Sequence, residues 1–96
     1  MYLPHVLDTL TSAGYSPEHA GETSDNQNIY AVSPVPGIRY EVSNNIDFEA
    51  MKDGDDAEDY VISYTWVIFS DNPDHESPWT EDGDKDELIS ALADEK

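Results

Sequence analysis

Residues 60–69 read YVISYTWVIF, a run of apolar β-branched and aromatic side chains interrupted only by Ser63 and Thr65. Such side chains suit a pleated, half-buried backbone. The run is about half the ~20 residues that a membrane-spanning helix needs. It reads as a strand, with Tyr60, Ile62, Tyr64, Trp66 and Ile68 on a core face and Val61, Ser63, Thr65, Val67 and Phe69 on the other. The chain is 38% hydrophobic, with six tyrosines, two tryptophans and two phenylalanines in 96 residues. That is material for one folded domain, 1–96, and not for a disordered segment.

Periodicity places the remaining elements. Leu3, Val6, Leu7 and Leu10 recur at the spacing of one helix face, with Pro4 in the first turn and Gly14 at the end, which predicts a helix over 3–13. Ser16, Pro17 and Glu18 suit one further turn, and GETSDNQN then reads as a polar loop. Strands are expected at NIYAVS (28–33) and GIRYEVS (37–43), separated by a Pro-Gly turn. Asn44 and Asn45, which tolerate positive φ, read as a tight hairpin. IDFEAM (46–51) resumes the alternation, with Ile46, Phe48 and Ala50 inward and Asp47 and Glu49 outward. After an acidic turn around Gly54 and the strand at 60–69 comes a linker, SDNPDHESPWTEDG. Asp84 and Glu87 form a capping box that opens a helix with Leu88, Ile89 and Leu92 as its apolar stripe. The expected class is α+β: an antiparallel sheet of about four strands with N- and C-terminal helices packed on one face.

The charge is extreme and uneven. The chain carries 22 Asp+Glu against 4 Lys+Arg, a formal charge of −18. Asp8, Glu18, Glu22 and Asp25 against Arg39 leave residues 1–40 at −3. Residues 41–96 hold 18 acids against Lys52, Lys85 and Lys96, a net of −15. Such asymmetry points to an interaction surface. The candidate partner-binding residues are Glu41, Asp47 and Glu49 on one solvent face of the sheet, with Asp53, Asp55, Asp56, Glu58 and Asp59 in the turn. The linker and the helix start add Asp71, Asp74, Glu76, Glu81, Asp82, Asp84 and Asp86. Trp79, set among these acids, reads either as a helix-packing anchor or as an exposed interface contact.

No motif names a reaction. With no cysteine there is no disulfide framework and no thiolate metal site. The calcium-loop pattern fails from Asp82, where Glu87 replaces the glycine and Ala93 the final glutamate, and from Asp53, where Ala57 and Tyr64 occupy ligand positions. Among the histidines, His5, His19 and His75, only the last adjoins carboxylates, on a segment whose neighbouring side chains diverge. There is no nucleophile elbow, zinc-helix motif or phosphate-binding loop. No catalytic residue, cofactor or metal is expected, and the chain does not read as an enzyme. Aromatic stacking on nucleic acid would need a basic groove, so no direct nucleic-acid binding is expected. An anionic membrane surface would repel the chain, and the N-terminus lacks the basic start of a signal peptide. A cytoplasmic location is expected.

A compact chain of this length should be roughly 30 Å across, and ~30 Å of duplex carries about 18 phosphates. By its size, its DGDDAED and EDGDKDE segments, and its acid-rimmed sheet between terminal helices, the chain resembles the small acidic inhibitors of phages and mobile elements. These are the DNA-mimic anti-restriction proteins, uracil-DNA glycosylase inhibitors and anti-CRISPR proteins. The resemblance implies an inhibitor that occupies the cationic DNA- or RNA-binding surface of a basic target in a host cell, a Cas effector, a restriction enzyme or a similar protein. Two other classes fit the charge: a small acidic adaptor for a basic partner, and a halophile's domain whose acidity is salt adaptation.

Overall fold

The alternation that starts at Ile38 runs straight through both asparagines. In the computed structural model, which describes residues 2–71 and 78–95, the chain forms α1 (Val6–Ser12), β1 (Glu18–Glu22), β2 (Asn28–Val32) and β3 (Ile38–Ile46). A 3-10 turn (Ala57–Tyr60), β4 (Val61–Ser70), β5 (Trp79–Gly83) and α2 (Lys85–Asp94) follow. The strands make one sheet in the order β1-β2-β3-β4-β5, antiparallel throughout. The class is α+β, with five strands.

Three expectations give way to tertiary contacts. First, Asn44 and Asn45 form no hairpin; they pair with Tyr64 and Ser63 inside the β3–β4 ladder. Asn44 is 4% exposed, and its Oδ1 accepts the Val6 N–H at 2.9 Å, satisfying one of the donors that α1 leaves open at its start. Its Nδ2 has no partner among the described residues. Second, no strand occupies 46–51. β3 stops at Ile46 and the chain turns, with Asp47 Oδ1 accepting the Ala50 N–H at 3.2 Å. Third, β1 and β5 arise in segments that read as a turn, loop and linker. Both lie at sheet edges and are rich in Glu, Asp and Gly, so the unpaired edge of a neighbour decides them, not propensity.

The facing of β4 changes within the strand. Pairing steps from Asn45↔Ser63 to Ile46↔Val61, which leaves Ile62 as the extra residue of a bulge. Val61, Tyr64, Trp66 and Ile68 are buried, whereas Ile62 is 49% exposed. Tyr60 lies outside the core with its ring 4.9 Å from that of Tyr2.

The core lies between one sheet face and both helices. Tyr40, Val42, Tyr64, Trp66 and Ile68 form a cluster with Val6 and Leu10 of α1 and Leu88 and Leu92 of α2. A seven-residue helix does not hold alone in water. Burial of its apolar side chains, worth ~1.5–3 kcal/mol each, keeps it. The Tyr64 hydroxyl donates to the Pro4 carbonyl and lies 2.8 Å from Thr9 Oγ1, while the Tyr40 hydroxyl donates to the Ala91 carbonyl at 3.2 Å. His5 caps α1, its Nδ1 accepting the Leu7 N–H at 3.3 Å, so Pro4 precedes the helix. Asp84 caps α2 through the Glu87 N–H at 2.9 Å, as its spacing predicts.

No helix among the described residues covers the other sheet face. There Arg39 pairs with Glu41 at 3.1 Å. Asn45 Nδ2 donates to Ser63 Oγ and Thr65 Oγ1, both at 2.9 Å, and the Thr65 hydroxyl bonds Asp82. The molecule measures 46 × 25 × 20 Å with a radius of gyration of 13.6 Å, so it is elongated and not roughly 30 Å in each direction. A duplex as long as its major axis carries about 27 phosphates. The numerical match between net charge and phosphates therefore does not hold along that axis.

Candidate functional site

Sheet register brings acids from separate segments to one end of the molecule. β3 finishes at Ile46, opposite Val61 at the start of β4, and β5 finishes at Gly83, opposite Tyr64. The excursion from 47 to 60 and the start of α2 therefore leave the sheet toward the same end. Its base is closed by the Asp47 N–H donating to the Tyr60 carbonyl at 3.0 Å. The N-terminal segment joins the same end, because the Leu3 N–H donates to the Val61 carbonyl at 2.6 Å.

The carboxylates here fall into two kinds. Some build the turn. Asp55 Oδ2 accepts the Lys52 N–H at 2.9 Å and the Tyr60 hydroxyl at 2.6 Å. Asp56 Oδ1 accepts the Glu58 N–H at 3.1 Å at the head of the 3-10 turn. Glu58 Oε1 lies 3.6 Å from His5 Nε2. Others are unengaged: the carboxylates of Glu49, Asp53 and Asp59 are exposed and make no hydrogen bond or ion pair among the described residues. The distinction follows from geometry. A carboxylate can fold back onto N–H groups two or three residues away only where the chain turns at that point.

The Tyr60 hydroxyl holds the Asp55 carboxyl below its ordinary range, helped by the Lys52 N–H. Reciprocally, the bond to Asp55 is the main cause that pushes the Tyr60 phenol up to about 12. The Asp55 contribution to stability is present above the unfolded carboxyl value of ~3.9 and is lost as pH falls through the folded value. The Tyr60 contribution is present below ~10 and is lost as pH rises toward about 12. Burial likewise raises the phenols of Tyr40 and Tyr64. Ultraviolet titration should therefore show a late-ionising tyrosine fraction, and Tyr60→Phe should remove part of it. A wild-type profile that is complete by about pH 11 would contradict the Tyr60–Asp55 bond.

The other candidates scatter, except at the start of α2, where Asp86 shares a groove with Asp8. Glu41 lies in the middle of the open face and is tied to Arg39, so it does not share a face with Asp47 and Glu49, which occupy the turn beyond β3. Glu81 accepts the Trp66 indole N–H at 3.2 Å, and Asp82 is held by Thr65. Asp84 caps α2, and Asp86 lines a groove of about 630 Å³ between the two helices, opposite Asp8. Asp71 follows β4 at the far end, its N–H donating to the Gly37 carbonyl at 2.9 Å. That is roughly 30 Å of strand away from residue 60. Trp79 stands in β5 opposite Ile68 and packs, partly buried, against the core. Asp74 and Glu76 lie outside the described residues.

Sequence reasoning missed Asp8 and Glu87 as members of the acidic end. Asp8 lines a cleft with Glu58 and Asp59 although it is some fifty residues distant in the chain. No local signal marks it, since its place depends on where α1 docks. Glu87 stands in the first turn of α2, and its spacing from Asp84 could have placed it. Among the described residues, the ion pairs are His5–Glu58 and Arg39–Glu41, so Lys52 and Lys85 neutralise no neighbour by direct contact. No three His, Asp or Glu side chains among the described residues converge to hold a metal ion. No helix among them is long and apolar enough to cross a membrane. Compared with known proteins, the chain matches no family model, no curated protein and no solved structure.

Proposed function

We propose that this protein is an acidic nucleic-acid-mimic inhibitor, and that its acidic end occupies the cationic DNA- or RNA-binding surface of a target protein. An anti-CRISPR or anti-restriction protein acting in the cytoplasm of a host cell fits this description. The observation that carries the reading is the convergence of carboxylates from α1, the 47–59 excursion and the β5–α2 junction on one end, with Lys52 and Lys85 as the lysines there. Crowded like charge destabilises a compact state, and a partner rich in Lys and Arg turns that cost into attraction and fast association. A salt-adapted surface would have no need to collect its acids at one end. Circular dichroism at low ionic strength should accordingly show a folded protein, whereas folding only in molar salt would favour the halophile class.

The test is affinity capture followed by competition. The captured partner should bind nucleic acid, elute with salt and lose its nucleic acid as this protein is added. Simultaneous binding of both, or a partner with no affinity for nucleic acid, would reject mimicry and leave the acidic adaptor. This protein itself should give no gel shift with DNA or RNA.

The variant E49Q/D53N/D59N separates charge from architecture, because those side chains build nothing. Single exposed pairs contribute ~0–1 kcal/mol. Together the three changes should weaken capture about tenfold, or ~1.4 kcal/mol, and flatten its salt dependence, with the melting temperature unchanged or raised. Neutralising Asp55 and Asp56 is a poorer test, since both hold the turn together.

A further inference from the structure

Among the described residues, the large apolar side chains that remain exposed are Tyr2, Phe48 and Ile62, at 40%, 48% and 49%. Scattered singly over a surface they would need no explanation. They are not scattered. Ile46 pairs with Val61; Phe48 lies two residues beyond the former and Ile62 one beyond the latter. Tyr2 precedes Leu3, whose N–H bonds the Val61 carbonyl. Phe48 and Ile62 are thus within two residues of one cross-strand pair, or roughly 7 Å of chain, and Tyr2 adjoins the residue hydrogen-bonded to that pair.

Two structural devices expose them. The end of β3 at Ile46 releases Phe48 from the alternation that would have buried it. The bulge gives β4 an extra residue at Ile62, and bulges serve to re-aim side chains. Tyr2 also lines a concavity of about 420 Å³, together with Leu3, Pro4, His5, Asp8, Glu58 and Asp59, whose lining is more polar than apolar. Exposed apolar side chains beside exposed carboxylates match the two halves of a lysine or arginine side chain, an aliphatic stem and a charged head.

We infer that Tyr2, Phe48 and Ile62 are contact residues, and that the acidic end docks a cationic amphipathic segment of a protein, with Lys or Arg alternating with large apolar side chains. This rests on the proposal that the acidic end binds a basic surface and specifies the surface's chemistry. A groove shaped for bare phosphates would gain nothing from the apolar contacts, whereas apolar side chains ringed by cations would bury them. Apolar area then supplies affinity that salt does not screen, and charge supplies steering.

The probes are two synthetic helical peptides with equal numbers of lysines, one carrying leucines on its second face and the other serines. Binding is followed by fluorescence anisotropy at low salt and at roughly 0.3 M salt, where the screening length is short. The wild-type protein should prefer the leucine peptide at least about tenfold, and the preference should survive the higher salt. F48S/I62S, which alters exposed side chains and should fold by circular dichroism, should reduce the preference to below about threefold without changing affinity for the serine peptide. Equal binding of the two peptides by the wild type overturns the inference and leaves the charge-based reading standing. A preference that persists in F48S/I62S also overturns it. If neither peptide binds at low salt, both the inference and the reading it rests on are overturned.

Discussion

Trp66→Ala should unfold a large fraction of the molecules at room temperature. The indole is 2% exposed in the middle of β4, within the cluster that both helices cover, and its N–H donates to Glu81 at 3.2 Å. Truncating a buried tryptophan costs ~3–5 kcal/mol from lost burial and the cavity left behind. A domain of this size has a total stability near the low end of about 5–15 kcal/mol. Each kcal/mol lowers the melting temperature by roughly 4–8 °C at this size. Thermal and urea melts followed by circular dichroism measure the effect. Trp66→Phe, which keeps most of the ring volume, should recover more than half of it. A loss under about 1 kcal/mol for the alanine variant would show that α2 and β5 do not depend on this contact.

Gly83→Ala should be the most damaging single-methyl addition. A Cβ at Gly83 would stand 2.9 Å from Trp66 Cη2, 2.9 Å from Glu87 Cβ and 2.7 Å from Glu87 Oε2. The carboxylate end of Glu87 can swing away; the indole, locked in the core, and the Glu87 Cβ, fixed to the first turn of α2, cannot. Overpacking of this kind costs ~1–3 kcal/mol, and the strain falls where β5 turns into α2. Because the clash is shared, the two sites should couple. In a Trp66→Phe background, which trims the ring at that contact, the same alanine should cost less by about 0.5 kcal/mol or more. Additive losses would place the strain elsewhere, on Glu87 alone. The neighbouring caps should report the same event, since Asp84 must hold the Glu87 N–H for α2 to begin.

The elements legible in the sequence are those whose signals are local. The i, i+3, i+4, i+7 spacing of Leu3 to Leu10 located α1, the Asp84–Glu87 capping box located the start of α2, and the alternation of 38–43 and 64–68 identified the core face of β3 and β4. The α+β class follows from these. The pile of acids between 53 and 59 and between 81 and 87 was equally plain, because net charge needs no fold to be counted.

Tertiary structure decided what depends on a neighbour. Asn44 has the propensity of a turn residue, yet it lies in a strand because its side chain caps a helix that begins 38 residues earlier. Phe48 and Ile62 carry the right period for the core, but one falls just past the end of a ladder and the other on a bulge. Neither event leaves a mark on the alternation itself. Segments as polar as EHAGE and WTEDG become strands only because β2 and β4 present unpaired edges to them. The acidic end has the same origin. Sequence supplied the carboxylates, and the docking of α1 between the 47–60 excursion and α2 set Asp8 in one cleft with Glu58 and Asp59 and in another with Asp86, because side chains distant in the chain meet only where packing closes the distance.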